Sequence, residues 1–161
     1  MSEFATVVEL QRKVGLDESS GLLGEMRSAA SEVETALAEV AKLEAMLGLS
    51  GTKDLSIAVL QMRRDEKDFL ARLDPAYVES VEATSKQFSA ALERAGSIQD
   101  EKKQQLGKLM DSYLADFKTL ADAVLEREES LERLSAYYAA VEPVLETLGN
   151  EVRTVAENMQ Q

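Results

Sequence analysis

Apolar residues recur at alternating steps of three and four along two long stretches of the chain. In the first stretch they are Leu22, Met26, Ala29, Val33, Ala36, Val40, Leu43 and Leu47. In the last they are Leu131, Leu134, Tyr138, Val141, Leu145, Leu148, Val152, Val155 and Met159. This spacing places one apolar stripe along a helix and leaves its other faces polar. No segment alternates with period two over the length of a strand, so the sequence predicts an all-α fold.

Turn residues divide the chain into four predicted helices. Gly48 can end a helix in left-handed geometry, and Ser50 or Thr52 can cap the next one. Glycines weaken the first helix near 15–21, and Asp74 followed by proline predicts a bend or a restart in the second. We therefore predict a first helix over 5–47 with a break near 15–21, a second over 52–95 with a bend at 74–75, and two more over 98–127 and 131–160.

The boundary between the last two predicted helices depends on charge. The segment Arg127-Glu128-Glu129-Ser130 interrupts the apolar stripe, although the stripe also continues in phase through Arg127. One uninterrupted helix from Ser97 onwards is therefore the alternative, about 96 Å long and without a partner over half its length. A turn at 127–130 gives rods of comparable length. We therefore predict a single domain over residues 1–161, an antiparallel up-down-up-down four-helix bundle.

Composition restricts the chemistry that such a bundle can carry. The 161 residues include no Cys and no His, and the formal net charge is −12. Zinc, haem and iron–sulfur sites therefore lack their usual ligands, and Ser–His or Cys–His pairs are excluded. The negative charge repels nucleic acid. The sequence contains no run of about eighteen apolar residues, the length needed to cross a membrane. We expect no enzyme activity, no metal or cofactor, and no nucleic-acid partner.

The densest group of charged residues lies in the second predicted helix, in the segment Met62-Arg63-Arg64-Asp65-Glu66-Lys67-Asp68-Phe69-Leu70. Glu66 falls on the apolar stripe between Met62 and Phe69, so its carboxylate needs a partner, which we expect to be an arginine. One interpretation is a solvated helix face with one salt bridge that locks the bundle. The other is an anion-binding patch, because guanidinium groups bind carboxylates through two parallel hydrogen bonds.

Aromatic residues form a second group of candidates. At helical spacing such side chains belong most often to the core, and we predict this for Phe69 and Phe88. Tyr113 and Tyr138 carry hydroxyl groups, and a buried hydroxyl needs a hydrogen-bond partner. These two tyrosines are therefore candidates for orienting a ligand.

The same charged segment, together with Leu73-Asp74-Pro75-Ala76-Tyr77-Val78, resembles the helical sensor domains of bacterial methyl-accepting chemotaxis proteins. Weaker similarities are Gly15-Leu16-Asp17-Glu18-Ser19-Ser20-Gly21-Leu22, Tyr113-Leu114-Ala115-Asp116-Phe117 and Val141-Glu142-Pro143. Together they span most of the chain in the expected order. The group it is most similar to is the helical bimodular sensor family, but this chain has the length of a single module. Ligand pockets formed between two modules therefore do not carry over.

The resemblance implies a periplasmic domain of an inner-membrane receptor, set between two transmembrane helices outside this chain. It also implies a homodimer that binds a small molecule such as an organic acid. Arginines of the bundle hold ligand carboxylates in that family, and the matching positions here are Arg63, Arg64 and Lys67. With Tyr113 and Tyr138 they form the predicted ligand-binding set.

The sequence therefore favours the ligand-sensing domain of a chemoreceptor, which signals through small displacements of its terminal helices. A sensor domain of a histidine kinase or a nucleotide cyclase is the alternative within the same class. A ligand-free coiled-coil scaffold or adaptor in the cytoplasm is the alternative from another class. Apolar residues outside the core stripe, Val7 and Val8 among them, predict a dimer interface built largely from the first helix.

Overall fold

The computed structural model describes residues 3–158, apart from the side chains of residues 156 and 157. Met159, the last residue of the second stripe, and the predicted helix end at 160 lie outside the described residues. The elements are five α-helices: α1 (Glu3–Val14), α2 (Gly21–Met46), α3 (Lys53–Arg72), α4 (Ala76–Arg94) and α5 (Asp100–Asn158). The prediction of an all-α fold is confirmed for this part of the chain.

The predicted break in the first helix is confirmed, because residues 15–20 are not helical and separate α1 from α2. Gly15 has φ +126°, and Gly21 has φ +58°. A Cβ on Gly15 would lie 2.2 Å from the carbonyl oxygen of Ser20, so both the conformation and the close approach require glycine. Gly48 also adopts positive φ, 71°, as the predicted helix end requires.

The prediction of one bent helix over 52–95 is wrong, because the chain reverses direction between α3 and α4. Leu73 adopts a left-handed conformation with φ 55°, and the carboxylate of Asp74 accepts a hydrogen bond from the amide of Ala76 at 2.9 Å. The two helices then pack against each other along their length as a hairpin. A proline signal marks where a helix restarts and does not fix the angle between the two helices.

The predicted turn at 127–130 is also wrong, because α5 is one helix of 59 residues, about 88 Å long. Its partner in this region is α1, which runs antiparallel to it. Arg127 donates to the side-chain oxygen of Gln11 at 3.0 Å, and Arg133 lies 3.6 Å from Glu3. Ser130 is fully buried under this contact. The charged side chains therefore pair with α1 and do not end the helix.

The core lies between α2, α3, α4 and the first part of α5. Its largest fully buried side chains include Phe69, Phe88, Phe117, Met62 and Leu106, which confirms the predicted core positions of Phe69 and Phe88. The rings of Phe69 and Phe117 meet edge to face with centroids 5.7 Å apart. By contrast, the last stripe from Leu145 onwards is exposed, because no helix within residues 3–158 packs against it.

A buried carboxylate closes the end of the bundle where two connections meet. Glu44 of α2 accepts hydrogen bonds from the amides of Gly51 and Thr52, at 3.1 and 2.8 Å, and from the hydroxyl of Ser97. Ser97 therefore bonds to Glu44, whereas the sequence pattern places it at the start of a helix. Burial alone would raise the pKa of Glu44, but these hydrogen bonds outweigh burial and hold the pKa below its usual value.

We predict that Glu44→Gln lowers the free energy of unfolding by about 2 kcal/mol at neutral pH, because hydrogen bonds to a charged group are lost. A carboxyl with a lowered folded pKa stabilises the fold above its unfolded pKa, near 4.5, and loses that contribution as the pH falls through the folded pKa. The difference from wild type should therefore shrink below about pH 4.5 in urea titrations. Glu39→Gln, at an exposed position of the same helix, is the control. It should have the same stability as wild type at neutral pH and below about pH 4.5.

Candidate functional site

Two adjacent carboxylates in the charged segment of α3 are both buried, and each faces a different neighbour. Asp65 accepts hydrogen bonds from the hydroxyl of Ser80 in α4 at 2.6 Å and from Gln61, one helical turn earlier, at 2.8 Å. Only 3 % of its surface is exposed. Asp65 therefore joins the two helices of the α3–α4 hairpin.

Glu66 faces a different side of α3, about 100° around the helix from Asp65, and is the centre of a larger network. One of its carboxylate oxygens accepts hydrogen bonds from Arg63 and from the hydroxyl of Tyr113 in α5, the latter at 2.8 Å. The Nε of Arg63 lies 3.2 Å from the carboxylate of Glu34 in α2. The network therefore connects α2, α3 and α5, and the predicted pairing of Glu66 with an arginine is confirmed.

The ionisation states of this network follow from burial and from the neighbouring charges. Burial raises the pKa of Tyr113, and the adjacent Glu66 raises it further, so the phenol stays neutral and remains a donor. Burial alone would lower the pKa of Arg63, but the attraction of Glu66 outweighs it and the net shift is upward. The site therefore holds an ion pair with one neutral hydroxyl donor.

The structure brings together two of the five predicted ligand-binding residues. Arg63 and Tyr113 meet at Glu66, whereas Arg64 is exposed and lies 4.0 Å from Asp68, and Lys67 is exposed. Tyr138 lies on the later part of α5, where it lines a cavity of about 370 Å³ together with residues of α1. The structure supports the locking interpretation for Arg63, and the anion-binding interpretation of this segment stays a prediction.

Several partners in these networks were not predicted from the sequence. Ser80 and Glu34 carry no sequence signal, because single hydroxyl and carboxylate residues are common on exposed helix faces. Asp65 lies beside the apolar stripe that contains Glu66, so its burial was not predicted. Its partner Ser80 comes close only because α4 folds back along α3. The contact between Arg127 and Gln11 was not predicted either, because the two residues are 116 positions apart.

Over the described part of the chain, no group of carboxylates is arranged to hold a metal ion. Nor does any helix there have the length and apolar character needed to cross a membrane. Comparison with protein-family models, curated proteins and solved structures finds no match to this chain.

We predict that Arg63→Ala lowers the free energy of unfolding by at least about 2 kcal/mol, because it leaves Glu66 charged and buried without its cation. Arg64→Ala is the matched control, since this neighbouring arginine is exposed, and it should change stability by less than about 0.5 kcal/mol. Urea unfolding followed by circular dichroism measures both. Equal effects of the two substitutions would contradict the assignment of Arg63 as the locking residue.

Proposed function

We propose that this chain is the extracytoplasmic sensing domain of a transmembrane receptor, with a role in signalling and no enzyme activity. In this proposal the bundle binds a small molecule and α5 carries the resulting displacement towards the membrane. The observation that supports it is the path of α5. The first part of this helix packs in the core, and the part after Arg133 continues to Asn158 as a projecting rod. The resemblance of the charged segment to chemoreceptor sensor domains favours chemotaxis as the output over a kinase or a cyclase.

The first part of α5 is well placed to respond to changes inside the bundle. It contributes Leu106, Tyr113, Phe117 and Leu120 to the core, all at most 1 % exposed. We propose that this part of α5 with α2, α3 and α4 forms an up-and-down four-helix unit, with α1 as an additional helix. A shift of any core helix would then reach α5 through direct side-chain contacts.

The direction in which α5 projects supports the same proposal. The first turn of α1 lies beside Arg133, where Glu3 is 3.6 Å from its guanidinium, and α5 continues from there to Asn158. The start of α1 and the projecting rod therefore leave the bundle at the same end. A domain set between two membrane-spanning helices needs this arrangement, because both of its connections lead to one membrane surface.

The projecting rod carries an apolar seam, whose first residues, Tyr137 and Tyr138, line a cavity with the start of α1. Beyond them the seam lacks a partner among the described residues. Seven of its apolar side chains are between 51 % and 67 % exposed: Tyr137, Tyr138, Val144, Leu145, Leu148, Val152 and Val155. Two series of apolar residues each repeat every seven positions and alternate along the helix. One is Tyr138, Leu145 and Val152, and the other is Val141, Leu148 and Val155. None of these six positions is charged. This is the pattern of a coiled-coil seam.

We propose that this seam packs against the same segment of a second copy of the chain. Burying it would remove on the order of 800 Å² from each copy, which is the size of a standard specific interface. The interface would then lie on α5, whereas the sequence pattern placed it on the first helix. In the structure α1 instead packs against α5, and Val7 and Val8 are partly buried.

The same seam favours one alternative function, a coiled-coil scaffold that binds no small molecule. The two functions differ in what stabilises the protein. A sensor domain gains thermal stability from a specific small molecule, because binding to the folded state shifts the unfolding equilibrium. A thermal-shift screen of organic acids, amino acids, amines and sugars, followed by calorimetry on each hit, tests this. A saturable hit supports the sensor, and a screen without hits supports the scaffold.

We predict that the double substitution Leu145→Glu and Val152→Glu weakens dimerisation at least about tenfold, because it places carboxylates in an apolar seam. Sedimentation equilibrium across a concentration series measures the dissociation constant. The control is Ala140→Glu with Thr147→Glu, which adds the same charge at exposed positions outside the seam. A protein that is monomeric at all concentrations, or equal weakening by both pairs, would contradict an interface on this seam.

A further inference from the structure

A cavity of about 310 Å³ lies where α1 ends, and four helices contribute side chains to it. Its apolar lining consists of Val14, Leu16, Leu23, Leu70, Leu73 and Val124. The volume is at the lower end of the range for small-molecule sites, and apolar walls with few polar groups are typical of them. This cavity contains none of the five ligand-binding residues predicted from the sequence, and it touches the charged segment only at its last residue, Leu70.

The positive charge at this cavity belongs to Arg127 of α5, and one edge of its guanidinium lacks a hydrogen-bond partner. Nη1 donates to Gln11 at 3.0 Å, but Nη2 is 4.0 Å from Glu128, too far for a hydrogen bond. Nε is buried and has no partner. Nε and Nη2 form the side of a guanidinium that binds a carboxylate through two parallel hydrogen bonds.

Two acidic residues also line the cavity, and both already have partners. Asp17 accepts hydrogen bonds from the amide and the hydroxyl of Ser19, and these bonds hold its pKa below the usual value. Glu18 pairs with Arg27. Neither of these acids therefore pairs with Arg127, whose Nη2 is 4.0 Å from the carboxylate of Glu128. Together the three carboxylates make the surroundings unfavourable for a ligand with a second negative charge.

We propose that this cavity binds a small monocarboxylate with an apolar body, held by the Nε–Nη2 edge of Arg127. The inference rests on the proposed sensing function and names its ligand class and its site. The carboxylate would satisfy the buried Nε, whose lack of a partner otherwise destabilises the fold. The apolar body would contact side chains from α1, α2, α3 and α5, so binding would act on the packing between α1 and the projecting helix.

The test is calorimetry on the full chain with sodium hexanoate and sodium benzoate. Hexanol and benzyl alcohol serve as uncharged controls, and succinate serves as the dianionic control. We expect saturable binding of the monocarboxylates, at least tenfold weaker binding of the controls, and a downfield shift of the Arg127 Nε–H signal in nitrogen-edited NMR spectra.

Arg127→Gln and Arg127→Lys should each reduce affinity ten- to a hundredfold, because neither side chain keeps the two-donor edge. Arg153→Gln, on the exposed end of the same helix, should leave affinity unchanged.

The outcomes separate this inference from the proposed function. Monocarboxylate binding that survives both Arg127 substitutions would overturn the assignment of the cavity and leave the sensing function in place. A saturable amine, sugar or dicarboxylate ligand without monocarboxylate binding would do the same. A protein that binds no small molecule at all would overturn both. The circular dichroism spectrum of each Arg127 variant shows whether it is folded. If one of the two variants does not fold, the other still gives the effect of losing the guanidinium on affinity.

Discussion

The negative charge of Glu66 in the core constrains the arrangement of three helices at once. A carboxylate at 2 % exposure is strongly unfavourable unless a cation and further donors surround it. Arg63 supplies the charge from the same helix, and Tyr113 supplies a neutral donor from α5. Because hydrogen bonds require short distances and defined directions, this pairing fixes the rotation of α3 relative to α5. Glu34 extends the constraint to α2 through the same guanidinium.

Polar contacts of the same kind set the register elsewhere in the bundle. Asp65 and Ser80 align the two helices of the α3–α4 hairpin, and Glu44 joins the two connections at the far end. Apolar packing alone tolerates sliding, because Leu, Met and Ala side chains fit against one another in several registers. A misplaced carboxylate, by contrast, loses all of its partners together. These buried acids therefore favour one arrangement of helices over its alternatives.

The sequence was sufficient for the fold class, the break at 15–20 and the core positions of Phe69 and Phe88, because periodicity and glycine act locally. It was insufficient for the direction of the chain after Leu73, since a left-handed residue before Asp74-Pro75 permits either a bend or a reversal. It also misplaced the end of the third helix, because charge at 127–130 indicates a turn only if nothing pairs with it. The partner, α1, lies more than a hundred residues earlier. Arg63 and Tyr113 were predicted to contact a ligand, and in the structure both form hydrogen bonds to Glu66.

The break between α1 and α2 gives the proposed signalling route a mechanical basis. Because residues 15–20 are not helical, α1 can shift against α5 without breaking any hydrogen bond within α2. The contact between α1 and α5 combines partly exposed polar pairs, such as Arg133 with Glu3, with a limited apolar surface, so it is weaker than the core around Phe69. α5 is one helix over Asp100–Asn158, so it can transmit a displacement along its axis, although Pro143 lacks the amide that would bond to the carbonyl of Ala139. A ligand that changes the packing of α1 on α5 would therefore move the projecting rod, while the buried acids hold the rest of the bundle in place.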